Sequence, residues 1–355
     1  MSDLYLYAVT TGDAHLDLGP IGVPDGRSEV FSIHEAGLAA VVSEYPGDSG
    51  RDLPQAQMLR RLLVHQQVLE KLITDHAILP VKFGTVPRSP NEVRLLLSRY
   101  QALLEASLRD VGGAVEIDLS ASWDLPAILQ EASHEPALAA MRRRHSGAEE
   151  ANAAIEMGKR VHGTVERKRE EYRRRVVNEM LPCVRDAEPN PIPTDDIVLN
   201  VAFLVDRVQV AEFDRTLDRL AEEFGDRLSF RYVGPLPPYS FATVHVVRPL
   251  ASEIARAREV LGLGESVTAA ELRDRYREMA ARMHPDRNPG DRQAQAAFQT
   301  LVAAHDTVAR YLEAQRAAHT QATPAARYDL RPESVSAALL LEITRAELES
   351  EGSNA

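Results

Sequence analysis

The sequence predicts an α+β protein built from two α+β units, a helical region joining them, and an all-α helical hairpin beyond residue 250. Three observations predict it. Strand-like apolar runs alternate with helical periodicity over residues 1–123, and again over 189–250. Between them, over 124–188, Ala, Glu and Arg dominate and strand signals disappear. Beyond 250, two amphipathic stretches flank a short polar loop.

The first unit opens with Asp3-Leu4-Tyr5-Leu6-Tyr7-Ala8-Val9-Thr10, aromatic and apolar enough for a strand, and residues 12–26, rich in glycine and proline, read as a loop. Strands follow over about 28–34 and 37–43, split by a turn at Glu35-Ala36-Gly37. Residues 55–73 are helical, with Met58, Leu62, His65, Leu69 and Leu72 on one face, which makes His65 a core histidine rather than a ligand. Residues 78–86, Ile-Leu-Pro-Val-Lys-Phe-Gly-Thr-Val, are strand-like, but the proline and glycine mark an edge or a bulge. A helix over 90–110 and a strand over 114–120 complete the unit near Trp123. Two helices on one face of an antiparallel sheet is the ferredoxin-like arrangement.

In the middle region, residues 149–180 are long enough for one helix on the order of 45 Å. Its stripe of Ile155, His162, Val165, Tyr172, Val176 and Met180 is expected to pack on its own domain. Prolines 182, 189, 191 and 193 mark a linker. The second α+β unit, also expected to be ferredoxin-like, then runs as a strand over 197–205, a helix over 208–224, and strands over 227–232 and 241–247. The last two strands are joined by Gly234-Pro235-Leu236-Pro237-Pro238-Tyr239-Ser240, stiff and short of backbone donors.

In the hairpin, Thr268 and Glu271 form a capping box that starts a helix through Met283, with Leu272, Tyr276, Met279 and Met283 on one face. His284-Pro285-Asp286 follows, then the turn Arg287-Asn288-Pro289-Gly290, then a helix over 291–312 whose apolar set is Phe298, Leu301, Val302, His305 and Val308. The short run 255–263 packs across both helices. This arrangement resembles the J-domain of DnaJ-type co-chaperones. The resemblance implies that His284, Pro285 and Asp286, with Arg273, Tyr276 and Arg277, dock on a DnaK-type ATPase and stimulate it. Arg273 and Arg277 share one flank without acidic company, whereas Arg275 and Arg282 share the opposite flank with Glu271 and Glu278. Glu278 stands where the family commonly has a basic residue. The module spans 251–316, a linker 317–331, and a final helix and tail 332–355, with Val335, Leu339, Ile343 and Ala346 on one helix face. Within the linker, residues 325–329 (Ala-Ala-Arg-Tyr-Asp) resemble the last short helix of J-domains. The module is thus expected to be an insertion between the last strand of the second unit and the final helix.

The order Leu4-Tyr5-Leu6-Tyr7, then Leu79-Pro80-Val81-Lys82-Phe83-Gly84-Thr85, then a helical middle, then Tyr232-Val233-Gly234-Pro235-Leu236-Pro237-Pro238-Tyr239-Ser240-Phe241 is similar to the GvpF/GvpL family of gas vesicle proteins, over residues 3 to about 250. The resemblance implies a cytoplasmic accessory protein of gas vesicle assembly that binds the small hydrophobic shell protein GvpA, works beside other gas vesicle accessory proteins, and brings no catalytic residues. Phe83 and Tyr239, aromatic and beside strand edges, are the candidate shell-protein contacts.

Composition narrows the remaining classes. A net charge of -12 argues against nucleic acid as a partner, since phosphate binding needs concentrated, uncompensated Lys and Arg. Cys183 is the single cysteine, so no internal disulfide is possible. No apolar run approaches the ~20 residues that span a bilayer, and the first residues lack the pattern of a signal peptide. No nucleophile and base pair, metal-ligand cluster or phosphate loop is present, so neither a catalytic residue, a metal nor a cofactor is expected. Two other readings stay open: a general J-domain co-chaperone with α+β client-binding domains, and an enzyme on a ferredoxin-like scaffold.

Overall fold

Tyr5 and Tyr7 stand two residues apart on the first strand, so both rings point to one face of its sheet. The computed structural model describes residues 3–12, 16–46, 54–134, 150–284, 287, 291–318 and 325–345. The chain forms two units, Met1–Gly112 with Ala242–Thr344, and Gly113–Phe241 with Arg345–Ala355.

The first unit begins with β1 (Asp3–Thr11), β2 (Asp17–Gly22), β3 (Ser28–Glu35), β4 (Leu38–Tyr45), α1 (Gln55–Asp75), β5 (Ile78–Pro80), α2 (Pro90–Arg99) and α3 (Gln101–Val111). The strands make an antiparallel sheet in the order β2-β3-β4-β1-β5. β2 lies inside the stretch expected to be a loop. It is an edge strand with two register irregularities, a place where Pro20 needs no ladder donor. The expected strand over 78–86 is three residues long: past Pro80, Val81 and Lys82 turn to Val244, and Gly84 then turns the chain at φ +83°.

The two tyrosines organise the core of this unit. Tyr7 Oη accepts the Val23 N–H at 2.7 Å and lies 2.9 Å from Ser43 Oγ. Tyr5 Oη accepts the Gly84 N–H at 3.0 Å and lies 3.2 Å from His65 Nδ1. His65 is buried with its ring 5.6 Å from that of Tyr7, and burial pushes its pKa down to about 4. It is a neutral core residue. On α1 the buried face is Arg61, Val64, His65, Val68, Leu69, Leu72 and Ile73. Met58 and Leu62, expected on that face, are exposed instead. The first half of α1 is apolar on both sides, so periodicity alone allows either side to turn inward. The helix expected over 90–110 breaks at Tyr100, whose Oη donates to the carbonyls of Ala314 at 3.2 Å and Leu339 at 3.4 Å.

The second unit contains β6 (Ala114–Ser122), α4 (Leu125–Ser133), α5 (Glu150–Met180), β7 (Asp186–Pro189), β8 (Ile197–Asp206), α6 (Val210–Phe224) and β9 (Ser229–Leu236). The strand order β7-β8-β6-β9, antiparallel throughout, gives β-α-β-β-α-β connectivity. β6, expected to finish the first unit, is a central strand here, with Ile117 opposite Phe203 and Leu119 opposite Val201. β7 occupies part of the expected proline linker. Val165, Tyr172, Val176 and Met180 of α5 enter the core with Ile117, Leu119, Trp123, Phe203 and Phe213, while Ile155 and His162 of the same stripe are exposed.

One acid lies buried in this unit. Glu116 accepts the Ser240 N–H at 2.7 Å and the Ser240 hydroxyl at 2.9 Å, which ties the end of the proline-rich loop to β6. The same loop passes so close to β6 that a Cβ on Gly234 would meet the Glu116 carbonyl oxygen at 3.0 Å. Burial pushes the Glu116 carboxyl up to about 7, against the opposing effect of the two Ser240 hydrogen bonds.

The chain then returns to the first unit with β10 (Thr243–Val247), α7 (Ala251–Leu261), β11 (Ser266–Thr268), α8 (Ala269–Met283), α9 (Arg292–Ala317), β12 (Arg327–Asp329), α10 (Pro332–Ala337) and β13 (Leu340–Thr344). β10, expected to close the second unit, pairs with β13 along its whole length, from Thr243 opposite Thr344 to Val247 opposite Leu340. A parallel bridge between Val81 and Val244, with the Lys82 N–H on the Val244 carbonyl at 2.9 Å, joins this pair to the first sheet. The expected helix over 332–349 is therefore a short helix and a strand. Val335, Leu339 and Ile343 satisfy a helical period, but an apolar run this short also suits a strand when a partner is at hand. Ala346 lies outside the described residues. Among the described residues, no helix is long and apolar enough to cross a membrane.

The helical module is thus an excursion between two paired strands. Its core of Ile254, Leu261, Leu272, Leu301, Val308 and Leu312 is completed by Leu330, Val335, Ala338 and Leu340. β12 lies in the stretch expected to be linker, and pairs with β11 in front of α8.

Two outcomes follow from this packing. A chain ending at Ala318 lacks four core side chains of the module, so amides of α8 and α9 are expected to exchange markedly faster than in the full chain, read by hydrogen–deuterium exchange. Equal protection would show that 251–318 closes its own core. Second, a carboxyl whose pKa rises on folding binds protons more tightly in the folded chain. Its contribution therefore weakens as pH climbs from 4.5 to about 7. Glu116→Gln is expected to flatten a stability decline on the order of 3 kcal/mol across that window, measured by denaturant unfolding of both proteins.

Candidate partner-docking site

Local signals build the helical module with little slack. Gly262 ends α7 in the left-handed region at φ +61°, and the Leu263 N–H returns to the Arg258 carbonyl at 3.0 Å. Thr268 starts α8: its Oγ1 accepts the Glu271 N–H at 3.1 Å while Glu271 accepts the Thr268 N–H at 2.8 Å. Glu271 also receives Arg327 Nη1 at 2.9 Å, so the cap of α8 is fastened to β12. Asp291 caps α9 by accepting the N–H groups of Gln293 and Ala294 at 2.8 and 3.2 Å.

Arg273 and Arg277 are exposed on α8, one turn apart, with Tyr276 half-buried between their flank and α9. The Tyr276 ring lies 4.3 Å from the ring of His305. Among the described residues, the carboxylate within ion-pair distance of Arg277 is that of Asp274 at 4.0 Å, a distance at which an exposed pair contributes little. Arg275 differs: its Nε donates to the Leu261 carbonyl at 3.0 Å and its Nη1 to Glu278 at 2.7 Å. Glu278 therefore neutralises Arg275 and leaves the Arg273 and Arg277 strip positive.

His284 is exposed at the end of α8, its ring edge-on to Phe298 at 5.6 Å. The helical rise places it roughly 16 Å along the axis from Arg273. Pro285 and Asp286 lie outside the described residues. Arg287 turns back on the helix, its N–H on the His284 carbonyl at 3.0 Å and its Nη1 on the Ala281 carbonyl at 3.1 Å.

Phe83 and Tyr239 belong to different units. Phe83 is half-buried with its ring edge-on to His65 at 5.7 Å, so much of it serves the core of the first unit. Tyr239 is half-buried on the loop that Glu116 holds, and its N–H donates to the Pro237 carbonyl at 2.7 Å. A surface the sequence reading missed lies on α1. Met58, Leu59, Leu62 and Leu63 are 45, 56, 44 and 56% exposed. The signal for it was the doubled apolar pairs, which give one helix two apolar sides.

Comparison with known proteins gives these geometries a context. The family model for gas vesicle synthesis protein GvpL/GvpF matches residues 3–243, and that for the DnaJ domain matches residues 258–316. Gas vesicle protein F of Streptomyces sp. (strain CB03234) is 29% identical over 224 residues, covering 62% of this chain and 90% of that protein. Gas vesicle protein F of Microcystis aeruginosa is 28% identical, over 52% of this chain and 77% of the relative. The crystal structure of GvpF from Anabaena sp. superposes with a TM-score of 0.60 at 24% identity, covering 68% of this chain and 98% of that one. The GvpF structure from Microcystis aeruginosa gives 0.55 at 25%, covering 68% and 99%.

The capping box is the most local support of the site. Thr268→Ala is expected to destabilise α8 by about 1 kcal/mol, seen as faster amide exchange in its first turns. Unchanged exchange would assign the start of α8 to tertiary packing alone.

Proposed function

We propose, from the premise that this chain belongs to the gas vesicle synthesis protein GvpL/GvpF family, that it is a cytoplasmic accessory protein of gas vesicle assembly. It holds the hydrophobic shell protein GvpA before assembly and brings a DnaK-type ATPase to it through the module that matches the DnaJ domain. It is not an enzyme itself.

One observation supports this reading above the others: the DnaJ-matching module is built into a family body, between strands that pair with each other, and turns the Arg273 and Arg277 strip outward beside Tyr276, with the carboxylate of Asp274 only at the limit of ion-pair distance from Arg277. Such a strip fits an acidic docking surface. Proteins that form an apolar wall expose large apolar patches until they assemble, and those patches aggregate unless covered. The exposed apolar side of α1 offers such cover within the same unit, and Phe83 and Tyr239 are further contacts.

ATP turnover by purified DnaK, measured with the full chain, tests the recruiting role. Several-fold stimulation is expected from the wild-type chain, with most of it lost in His284→Gln and in Arg273→Ala combined with Arg277→Ala. No stimulation by the wild-type chain would overturn recruitment. Co-purification of GvpA with the full chain, weakened by Leu59→Asp combined with Leu63→Asp, tests the holding role separately, and undiminished recovery would remove α1 from it.

A further inference from the structure

A cleft of about 340 Å³ opens between the first turn of α8 and the C-terminal half of α9, and Tyr328 of β12 lines it as well. Its floor is apolar, with buried Leu272 and Leu312 beside the small Ala309. Its rim is charged, with Arg273 and Arg316 against the single carboxylate of Glu313. Among the described residues, neither arginine has a carboxylate within ion-pair distance. Two free guanidiniums beside an apolar dent suit an apolar side chain with a carboxylate next to it, because the planar donor fork of arginine grips a carboxylate in two places.

The cleft needs more than the two helices. Tyr328 reaches it because β12 pairs with β11, Val267 opposite Tyr328, and because Arg327 donates to Glu271 and to the Ser266 carbonyl at 2.8 Å. Residues well beyond the hairpin therefore complete the pocket.

We infer that this cleft is a second docking pocket for the ATPase partner, which seats there an apolar side chain flanked by an acidic residue. The inference rests on the recruiting reading above. Continuity identifies the occupant. Arg273 belongs both to the exposed strip and to the rim, and His305, which lines the cleft, carries the Tyr276 ring. A partner seated on the strip meets the cleft without a gap. A second copy of the chain would need a self-interface of roughly 1,200 Å², and the cleft by itself supplies only a small part of such a surface.

Two full-length variants test it, Arg316→Glu at the exposed rim and Ala309→Trp, which fills the dent. Each is expected to raise the concentration of chain needed for half-maximal stimulation of DnaK about tenfold, the worth of one well-seated side chain. Arg316→Glu changes only an exposed residue and keeps the test valid where Ala309→Trp fails to fold. Half-maximal concentrations equal to wild type in Arg316→Glu would overturn the pocket while wild-type stimulation upholds recruitment. Absence of stimulation by the wild-type chain would remove both. Concentration-dependent self-association that Arg316→Glu abolishes would assign the cleft to a second copy and overturn the inference.

Discussion

The antiparallel pairing of β10 with β13 is the constraint on which the rest of the first unit depends. Alone, either strand would present an unpaired edge; β13 fills one flank of β10, and on the other an isolated bridge between Val81 and Val244 ties it to the first sheet. Everything from Ala251 to Leu339 is an excursion closed by that pairing. A second set of contacts fixes its orientation. Tyr100 Oη donates to the Ala314 and Leu339 carbonyls, and Arg99 donates to Gln315, so the end of α9 is held against the junction of α2 and α3. A J-type module on a flexible tether raises local concentration and little else. This one is fastened at both ends and presents its basic strip in one direction relative to the first sheet.

The loop parts of the second and third stretches that resemble the gas vesicle family, beyond the ladders of β5 and β9, are tied down by buried side-chain polar groups. Their prolines and tight turns remove backbone donors and leave too few regular bonds to fix the loops. Tyr5 Oη takes the Gly84 N–H, and Glu116 takes both the N–H and the hydroxyl of Ser240. The cost is visible in the titration of the groups involved. Burial raises the Glu116 carboxyl and lowers His65, so the two units lose stability toward opposite ends of the pH scale, the second as Glu116 ionises and the first as His65 is protonated.

What was legible in the sequence is what local spacing decides. The capping box at Thr268, the α8 stripe, Leu301 and Val308 of the α9 stripe, and the core half of the α5 stripe stand where periodicity placed them, while Ala304, Tyr311 and Leu312 of α9 join the core in place of Phe298 and Val302. Strand ownership was not legible. β6 and β10 are apolar runs at the ends of their segments, and which sheet takes them depends on partners far along the chain. β13 satisfied a helical period and became a strand because β10 offered it a ladder. The same limit governs the site. That Arg273 and Arg277 share one flank follows from helix geometry, and their choice with Tyr276 follows from the resemblance, whereas the cleft beside them requires Tyr328, delivered by a β12 that no periodicity announces.

Under the proposed function, weak holding of the client is an advantage. The four exposed side chains of α1 offer apolar surface on the order of 400 Å², about half of what each partner contributes to a stable interface. A shell protein held on so little surface dissociates readily, which a holder that must release its client to a growing wall requires. On the same proposal the ATPase side has a broader footing, since a basic strip and an adjoining cleft offer it two kinds of contact. Charge governs encounter and orientation at the strip, while the apolar dent rewards only the correctly placed side chain. On that proposal, a weak client surface and a more discriminating chaperone surface in the same unit favour transfer of the client over its retention.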